Sequence, residues 1–220
     1  MERSFVIIKP DGTVRRRIGA LVIKALLERG YRVRAFKEMR VTRRLAEMHY
    51  AVHSEKPFFS WLVDFITSAP VLVLIFQAEN VIQGIRDALG STFVQKAEPS
   101  TLRGKYGIWA GVNIAHASDA SETASEEIRL WTSEGGVVES DDAGSNALDY
   151  IERYAVGDTD FTMEIRSIVR DAIEERDTSE TILESLTDLL RKDANGIENQ
   201  EIEALARVIH EFVLEEIEKQ

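Results

Sequence analysis

Ser4-Phe5-Val6-Ile7-Ile8-Lys9-Pro10-Asp11-Gly12 is an apolar, β-branched run halted by a proline and a glycine. Such a run fits a pleated, buried strand, and Pro-Asp-Gly after Lys9 makes a turn. Beyond it, Ile18, Leu21, Val22, Ala25 and Leu26 recur at helical spacing, and Gly30 closes that helix. Tyr31 to Val41 alternates as a second strand. Thr42 is placed to N-cap a short helix through Tyr50, and Pro57 opens another that runs to Ile66. Val71 to Gln77 is a third strand, Asn80 to Leu89 a helix closed by Gly90, and Val112 to His116 a short fourth strand. Ser121 to Trp131 is a helix with Ser121 as N-cap. Between Gly90 and Ala110 lies a long loop, and loops of that length in compact domains are usually functional. The order predicts an α/β (α+β) fold: a ferredoxin-like four-stranded antiparallel sheet with helices, a periodicity that other α/β sandwiches share.

The remainder reads differently. Thr132 to Asn146 is a Gly-, Ser- and Asp-rich break. Beyond Tyr154 come three amphipathic helices, with stripes Phe161-Ile165-Ile168-Val169-Ala172-Ile173, Ile182-Leu183-Leu186-Leu189-Leu190 and Ile202-Leu205-Ala206-Ile209-Val213-Ile217. Asp177, with Glu180 three residues on, predicts a cap for the second, and Asn195-Gly196 ends it. Two domains are therefore expected: residues 1–155, and an all-α extension over residues 156–220. Each stripe must be buried, and so small a helical piece is marginal alone. The extension is expected to lie against the body or between subunits; an independent module that binds an unidentified partner is the other reading.

Charge divides along the same line. Residues 1–155 carry 20 basic and 20 acidic side chains, whereas residues 156–220 carry 7 and 18, which is the whole net charge of −11. The acidic extension would repel nucleic-acid phosphates. The neutral part is rich in arginine (Arg15 to Arg17, Arg40, Arg43, Arg44, Arg86, Arg103), which suits a small phosphate-bearing ligand. The Arg15 to Arg17 run itself reads as a solvated face. With no cysteine, disulfides, thiolate nucleophiles and Cys-ligated metals are excluded. The longest apolar runs, Phe5 to Ile8 and Val71 to Phe76, are far short of a membrane span, and Met1 leads straight into a strand with no secretory signal. A cytoplasmic chain without membrane association is expected.

The four histidines are His49, His53, His116 and His210. None shows a metal-ligand spacing, so no structural zinc is expected. His210 reads as a surface or flanking residue, and His49 and His53 lie around a short helix end. His116 ends a strand in Asn113-Ile114-Ala115-His116-Ala117-Ser118-Asp119 and precedes a helix with Glu126 and Glu127. Taken alone it would be a hydrogen-bonded structural histidine. A neutral imidazole oriented by a carboxylate can instead attack phosphorus.

Five separated segments, in order, resemble the nucleoside diphosphate kinase family. They are Ile8-Lys9-Pro10-Asp11-Gly12; His49-Tyr50 with Pro57-Phe58-Phe59; Thr101 to Gly104; Asn113 to Asp119, similar to the family's Asn-Ile-x-His-Gly-Ser-Asp; and Glu127 to Trp131. The resemblance covers about residues 3–131, fading to about 155. It implies a ping-pong transfer in which a nucleoside triphosphate phosphorylates His116, and the phosphohistidine passes the group to a nucleoside diphosphate. It implies that Lys9, Arg86 and Arg103 place positive charge on the phosphates and that Tyr50 and Thr92 donate hydroxyl hydrogen bonds. Asn113 would reach the sugar region, Phe58 would stack on the base, and Leu62 would line the same slot. Glu127 would hold the imidazole and Ser118 would steady Glu127. Mg²⁺ would arrive on the nucleotide phosphates with no metal site of the protein's own, and the chain would form a homo-oligomer.

The chain departs from the family pattern at Ala117, where glycine follows the histidine. Were φ positive there, alanine would cost about 1 kcal/mol or more. It departs again at Val112, in place of arginine, and in the loop at Phe93-Val94 and Pro99-Ser100-Thr101. Ala117 and Val112 keep open an alternative: a non-catalytic nucleotide-binding or scaffold protein on the same fold.

Overall fold

The first strand, β1 (Glu2–Ile8), runs down the middle of the sheet, with its side chains from Ser4 onward buried on both faces. This is seen in a computed structural model that describes residues 1–219. The chain continues through α1 (Pro10–Val14), α2 (Arg16–Leu27), β2 (Arg32–Met39), α3 (Arg43–His49), α4 (Phe59–Thr67), β3 (Val71–Ala78), α5 (Val81–Leu89), α6 (Leu102–Tyr106), β4 (Ala115–Ala117) and α7 (Ser121–Ser133). It ends with α8 (Ala143–Tyr154), α9 (Thr162–Glu175), α10 (Glu180–Asp193) and α11 (Asn199–Glu218). The strand order is β2-β3-β1-β4, and every neighbouring pair is antiparallel, the ferredoxin-like arrangement.

Alternation along β1 and β3 divides the sheet's two faces. Val6, Ile8, Leu72, Leu74 and Phe76 meet α2, α5 and α8, while Phe5, Ile7, Val71, Val73 and Ile75 meet α3, α4 and α7. Both faces are covered, so the strands read as continuous apolar runs without polar alternation. A third cluster lies outside the sheet. Helix α4 turns Val63 and Ile66 to the sheet and Trp61 and Phe65 outward to α9, α10 and α11. The Trp61 indole N–H donates to the Val208 carbonyl at 2.9 Å, and its ring lies 5.1 Å from that of Phe212. Helix α4 is thus apolar around most of its circumference because it is buried on both sides. Phe212→Ala is expected to lower stability by roughly 3 kcal/mol and the thermal midpoint by on the order of 10 °C. An unchanged midpoint in a calorimetric scan would contradict this packing.

Several local expectations are corrected. The turn after Lys9 is the short helix α1, with Pro10 at its first position, where the missing N–H costs nothing. The fourth strand is only Ala115–Ala117, because Ile114 has φ 66° and cannot extend the ladder. Ser121 is the first helical residue of α7 and Ala120 holds the cap position without a side-chain bond. The cap position of α10 is Ser179, and Asp177 accepts the Ser179 N–H at 2.9 Å instead. The break after Thr132 ends earlier than expected, since Ala143 to Asn146 already form the first turn of α8. The expected loop from Gly90 to Ala110 contains α6 and a 3₁₀ turn. Thr42 does cap α3, accepting the Leu45 N–H at 3.2 Å.

The Arg15 to Arg17 run is not a solvated face. Arg15 is fully buried, donating to Asp11 O, Thr162 Oγ1 and Tyr106 O at 2.7, 2.8 and 2.8 Å. Arg16 is buried against Tyr150 and Tyr154 and pairs with Glu38 at 2.7 Å. His210 is half-buried on α11, its Nε2 buried without a partner. No described helix is long and apolar enough to cross a membrane.

Candidate functional site

The site is built on a strained turn between α6 and β4. The Ala115 N–H donates back to the Asn113 carbonyl at 2.8 Å, closing a three-residue turn around Ile114 at φ 66°. A β-branched residue in that region costs on the order of 1–3 kcal/mol and persists only where neighbours over-determine it. Here Asp11 Oδ2 accepts the Ile114 N–H at 2.8 Å, and the Lys9 N–H donates to the Ile114 carbonyl at 2.9 Å. Gly12 permits this approach: a Cβ there would lie 2.7 Å from Ile8 Cγ2 and 3.2 Å from the Ile114 carbonyl. The turn delivers His116 to the second position of β4, opposite Ile7.

Glu127, two turns into α7, meets the His116 Nε2 with Oε1 at 2.6 Å. Its Oε2 accepts the Ser118 hydroxyl at 2.6 Å, and Ser118 Oγ accepts the Phe5 N–H at 3.0 Å. An ionised carboxylate only accepts, so the Nε2 carries the proton and Nδ1 is left with a free lone pair. Ala117 has no positive φ; among the described non-glycine residues only Asn80, Ala110, Ile114 and Arg176 do. Alanine after the histidine therefore carries no backbone penalty. Val112 is fully buried in the cluster that α9 to α11 complete, an environment for an apolar side chain.

Two buried cations stand in the same region. Lys9 donates to Asn113 Oδ1 at 2.8 Å and to the Gly111 carbonyl at 3.2 Å. Burial pulls its ammonium down to about 8, with Arg103 adding to the fall and Asp11 opposing it. Arg103, on α6, donates to the carbonyls of Gly90 and Ala115, each at 2.8 Å, and its buried Nε has no acceptor. Burial and the nearby Arg86 bring it down to about 10. Asn113 joins the parts, since its Nδ2 donates to the Thr92 carbonyl at 2.8 Å. Tyr50 is buried with its hydroxyl unpartnered, and burial together with Glu127 and Asp11 pushes the phenol upward, so it remains an O–H donor.

The other expected residues are more open. Arg86 and Thr92 are exposed, and neither side chain hydrogen-bonds within the described residues. Phe58, at the cap position of α4, is 40% exposed, with half-buried Leu62 one turn on along the same face. The structure thus gathers Lys9, Tyr50, Arg103, Asn113, His116, Ser118 and Glu127 in a largely buried centre, with exposed Arg86 and Thr92 beside it, whereas among the described aromatic rings Phe58 meets only that of His53, and Leu62 packs on the sheet-side cluster.

Sequence reasoning missed His49, Trp131 and Asp11 as parts of this centre. The His49 ring stands edge-on to His116 at 4.7 Å between centroids, and its Nδ1 accepts the Trp131 indole N–H at 3.3 Å. Burial, then His116, Lys9 and His53, hold its imidazole well below the usual range, so it is neutral. The resemblance segments contained all three residues, but nothing in their spacing showed the contact. Nitrogens of His49 and His116 and an oxygen of Glu127 lie within 4.8 Å of one another. These donors suit a softer cation than Mg²⁺, which takes oxygen ligands. The Trp131 donor also leaves the His49 proton on Nε2, the atom that a metal would need.

The sequence model of the family described as nucleoside diphosphate kinase matches residues 2–137. A nucleoside diphosphate kinase from Oceanobacillus iheyensis is 44% identical over 146 residues, 66% of this chain and 98% of that relative. One from Microcystis aeruginosa is 47% identical over 134 residues, 61% of this chain and 89% of its own. Among solved structures, a halophilic nucleoside diphosphate kinase from Halobacterium salinarum in complex with CDP superimposes with a TM-score of 0.58 at 39% identity, covering 66% of this chain and 97% of that one. The Aquifex aeolicus nucleoside diphosphate kinase gives 0.57 at 34% identity, covering 62% and 99%.

Proposed function

Because this chain belongs to the nucleoside diphosphate kinase family, an enzyme family that moves a phosphoryl group between nucleotides, we propose that the group travels through Nδ1 of His116. The observation that carries this reading is the 2.6 Å contact of Glu127 with Nε2, which leaves Nδ1 as the free nucleophile. Nδ1 attacks the γ-phosphorus of a nucleoside triphosphate. The N–P bond forms, the bond from γ-phosphorus to the bridging oxygen breaks, and the electron pair leaves on the nucleoside diphosphate. A second diphosphate then takes the group by the reverse step.

Attack places positive charge on the imidazole, and Glu127, steadied by Ser118, stabilises it. In phosphoryl transfer the protein's contribution is positioning and charge on the phosphate oxygens. Lys9, Arg103 and Arg86 supply that charge, and Tyr50 and Thr92 donate hydroxyl hydrogen bonds. Phe58 stacks on the base with Leu62 beside it, which accepts any base because each has a π-face. Asn113, already linking Lys9 to the Thr92 backbone, faces the sugar. Mg²⁺ bound to the nucleotide phosphates and water would neutralise charge on the β- and γ-oxygens. The reading includes a cytoplasmic setting and a homo-oligomer, the latter tested by light scattering on the purified chain.

The non-catalytic alternative is not favoured. Ala117 is unstrained and Val112 suits its buried position, so neither departure disturbs the histidine. The direct test is exchange between two different nucleotides, with capture of acid-labile, base-stable label from a γ-labelled triphosphate. A further expectation concerns Glu127→Gln. Losing a charged hydrogen bond is worth about 1.5–3 kcal/mol, so His116 phosphorylation should slow on the order of 10–100-fold with little change in nucleotide KM. Single-turnover quenched flow reads this; an unchanged rate would remove Glu127 from the imidazolium.

A further inference from the structure

We propose that the helices beyond residue 155 are a brace for the nucleotide cleft, and that Arg166 of α9 is a positioning residue for Arg103. The proposal rests on Arg103 acting as a phosphate ligand, as read above.

Helix α6, which carries Arg103, has only five residues. A helix that short leaves its last carbonyls without intrahelical partners and has little stability of its own. Its terminal carbonyls are instead taken by two arginines. Arg166 donates from Nε to the Gly107 carbonyl at 3.0 Å and from Nη2 to the Gly104 carbonyl at 3.1 Å, and Nη2 also reaches Gly107. Arg15 donates to the Tyr106 carbonyl, and its other end is held by Thr162, the first residue of α9. Arg15 also grips the Asp11 carbonyl, and Asp11 pins the strained Ile114 before His116. Thus α9 fastens the element that presents Arg103 and, through Arg15, the turn that presents His116.

The helix that carries Leu62, with Phe58 at its cap, is fastened by the same unit. Helix α4, with Phe58 at its start and Leu62 in its second turn, is capped on its outer face by Val208 and Phe212 of α11. Helices α9 and α11 pack on each other with α10, so α4 and α6 are tied to one body. The Oceanobacillus iheyensis relative spends 98% of its length on 66% of this chain, so the reaction does not need such a brace in general. In this chain the forked guanidinium of Arg166 has become the support under Arg103. Displacement of a phosphate-binding group by about 1 Å can cost up to ~10²-fold in rate, so the support has a catalytic consequence.

The test is a double-mutant cycle in the full chain. Arg166→Met removes the fork and keeps the apolar stem, and Arg166→Lys keeps charge without the fork. Arg170→Met, exposed on the same helix, is the matched loss of charge. The expected result is a rise in KM for the triphosphate of roughly ten-fold in Arg166→Met, partial recovery in Arg166→Lys, and no change in Arg170→Met. In an Arg103→Met background, Arg166→Met should add little, because both act through one side chain. Should Arg166→Met not fold, Arg166→Lys carries the same cycle. If Arg103→Met raises KM while the Arg166 variants do not, or if the two effects multiply independently, the positioning role is overturned. If Arg103→Met leaves KM unchanged, the phosphate role of Arg103 falls, and the proposal with it.

Discussion

His116→Ala abolishes nucleotide exchange, by about four orders of magnitude or more, the scale on which deletion of a covalent nucleophile acts. No acid-labile, base-stable label is expected to accumulate on this variant from a γ-labelled triphosphate. The fold should survive, because the His116 side chain is 25% exposed and anchors no strand pairing that its backbone does not already make. A circular dichroism spectrum and thermal midpoint like those of the parent would separate lost chemistry from lost structure. Transfer retained by the variant would sink the mechanism. Added imidazole should restore some phosphate acceptance if the emptied space admits it.

Lys9→Met has the second largest expected effect, a fall in kcat/KM of about 10²–10³-fold, the loss seen when one preorganised donor to a developing oxyanion is removed. A pH profile gives it a signature. In the free protein burial lowers the Lys9 ammonium to about 8. It is charged below that pH and loses its charge as pH rises through it. Parent kcat/KM, which reports the free enzyme, is therefore expected to decline above pH about 8. A bound triphosphate favours the charged form, so kcat should hold to higher pH. Arg103, at about 10, stays cationic through this window and adds no step there. The alkaline decline should vanish in Lys9→Met. A parent profile flat to pH 9 would contradict the role of Lys9.

The sheet was legible because β1 and β3 are apolar on both faces, and no helical period competes with them. The three last helices were legible because each has one stripe and one polar face. Helix α8 was not, since Gly144, Ser145 and Asn146 in its first turn look like loop chemistry. Its place is decided by Ala147 and Tyr150 docking on the sheet. The arginine run misled for a similar reason. Whether Arg15 is solvated depends on carbonyls and a hydroxyl up to 147 positions away, which no local charge pattern reports. Within the centre, the segments around Lys9 and His116 carried the family resemblance, while His116 taken alone read as a structural histidine. The perpendicular contact of His49 with His116, and the pinning of Ile114 by Asp11, exist only after the chain closes.

The two-sided burial of α4 also has a consequence for synthesis. Trp61 and Phe65 leave the ribosome long before the residues that cover their outer face, which end near Val213. At ~5–20 residues per second, the gap lasts roughly 7–30 s. During that interval the stacked rings of Trp61 and Phe65 lack the cover that α9 to α11 give them in the folded chain. Helix α11 is then the element that ends the exposure.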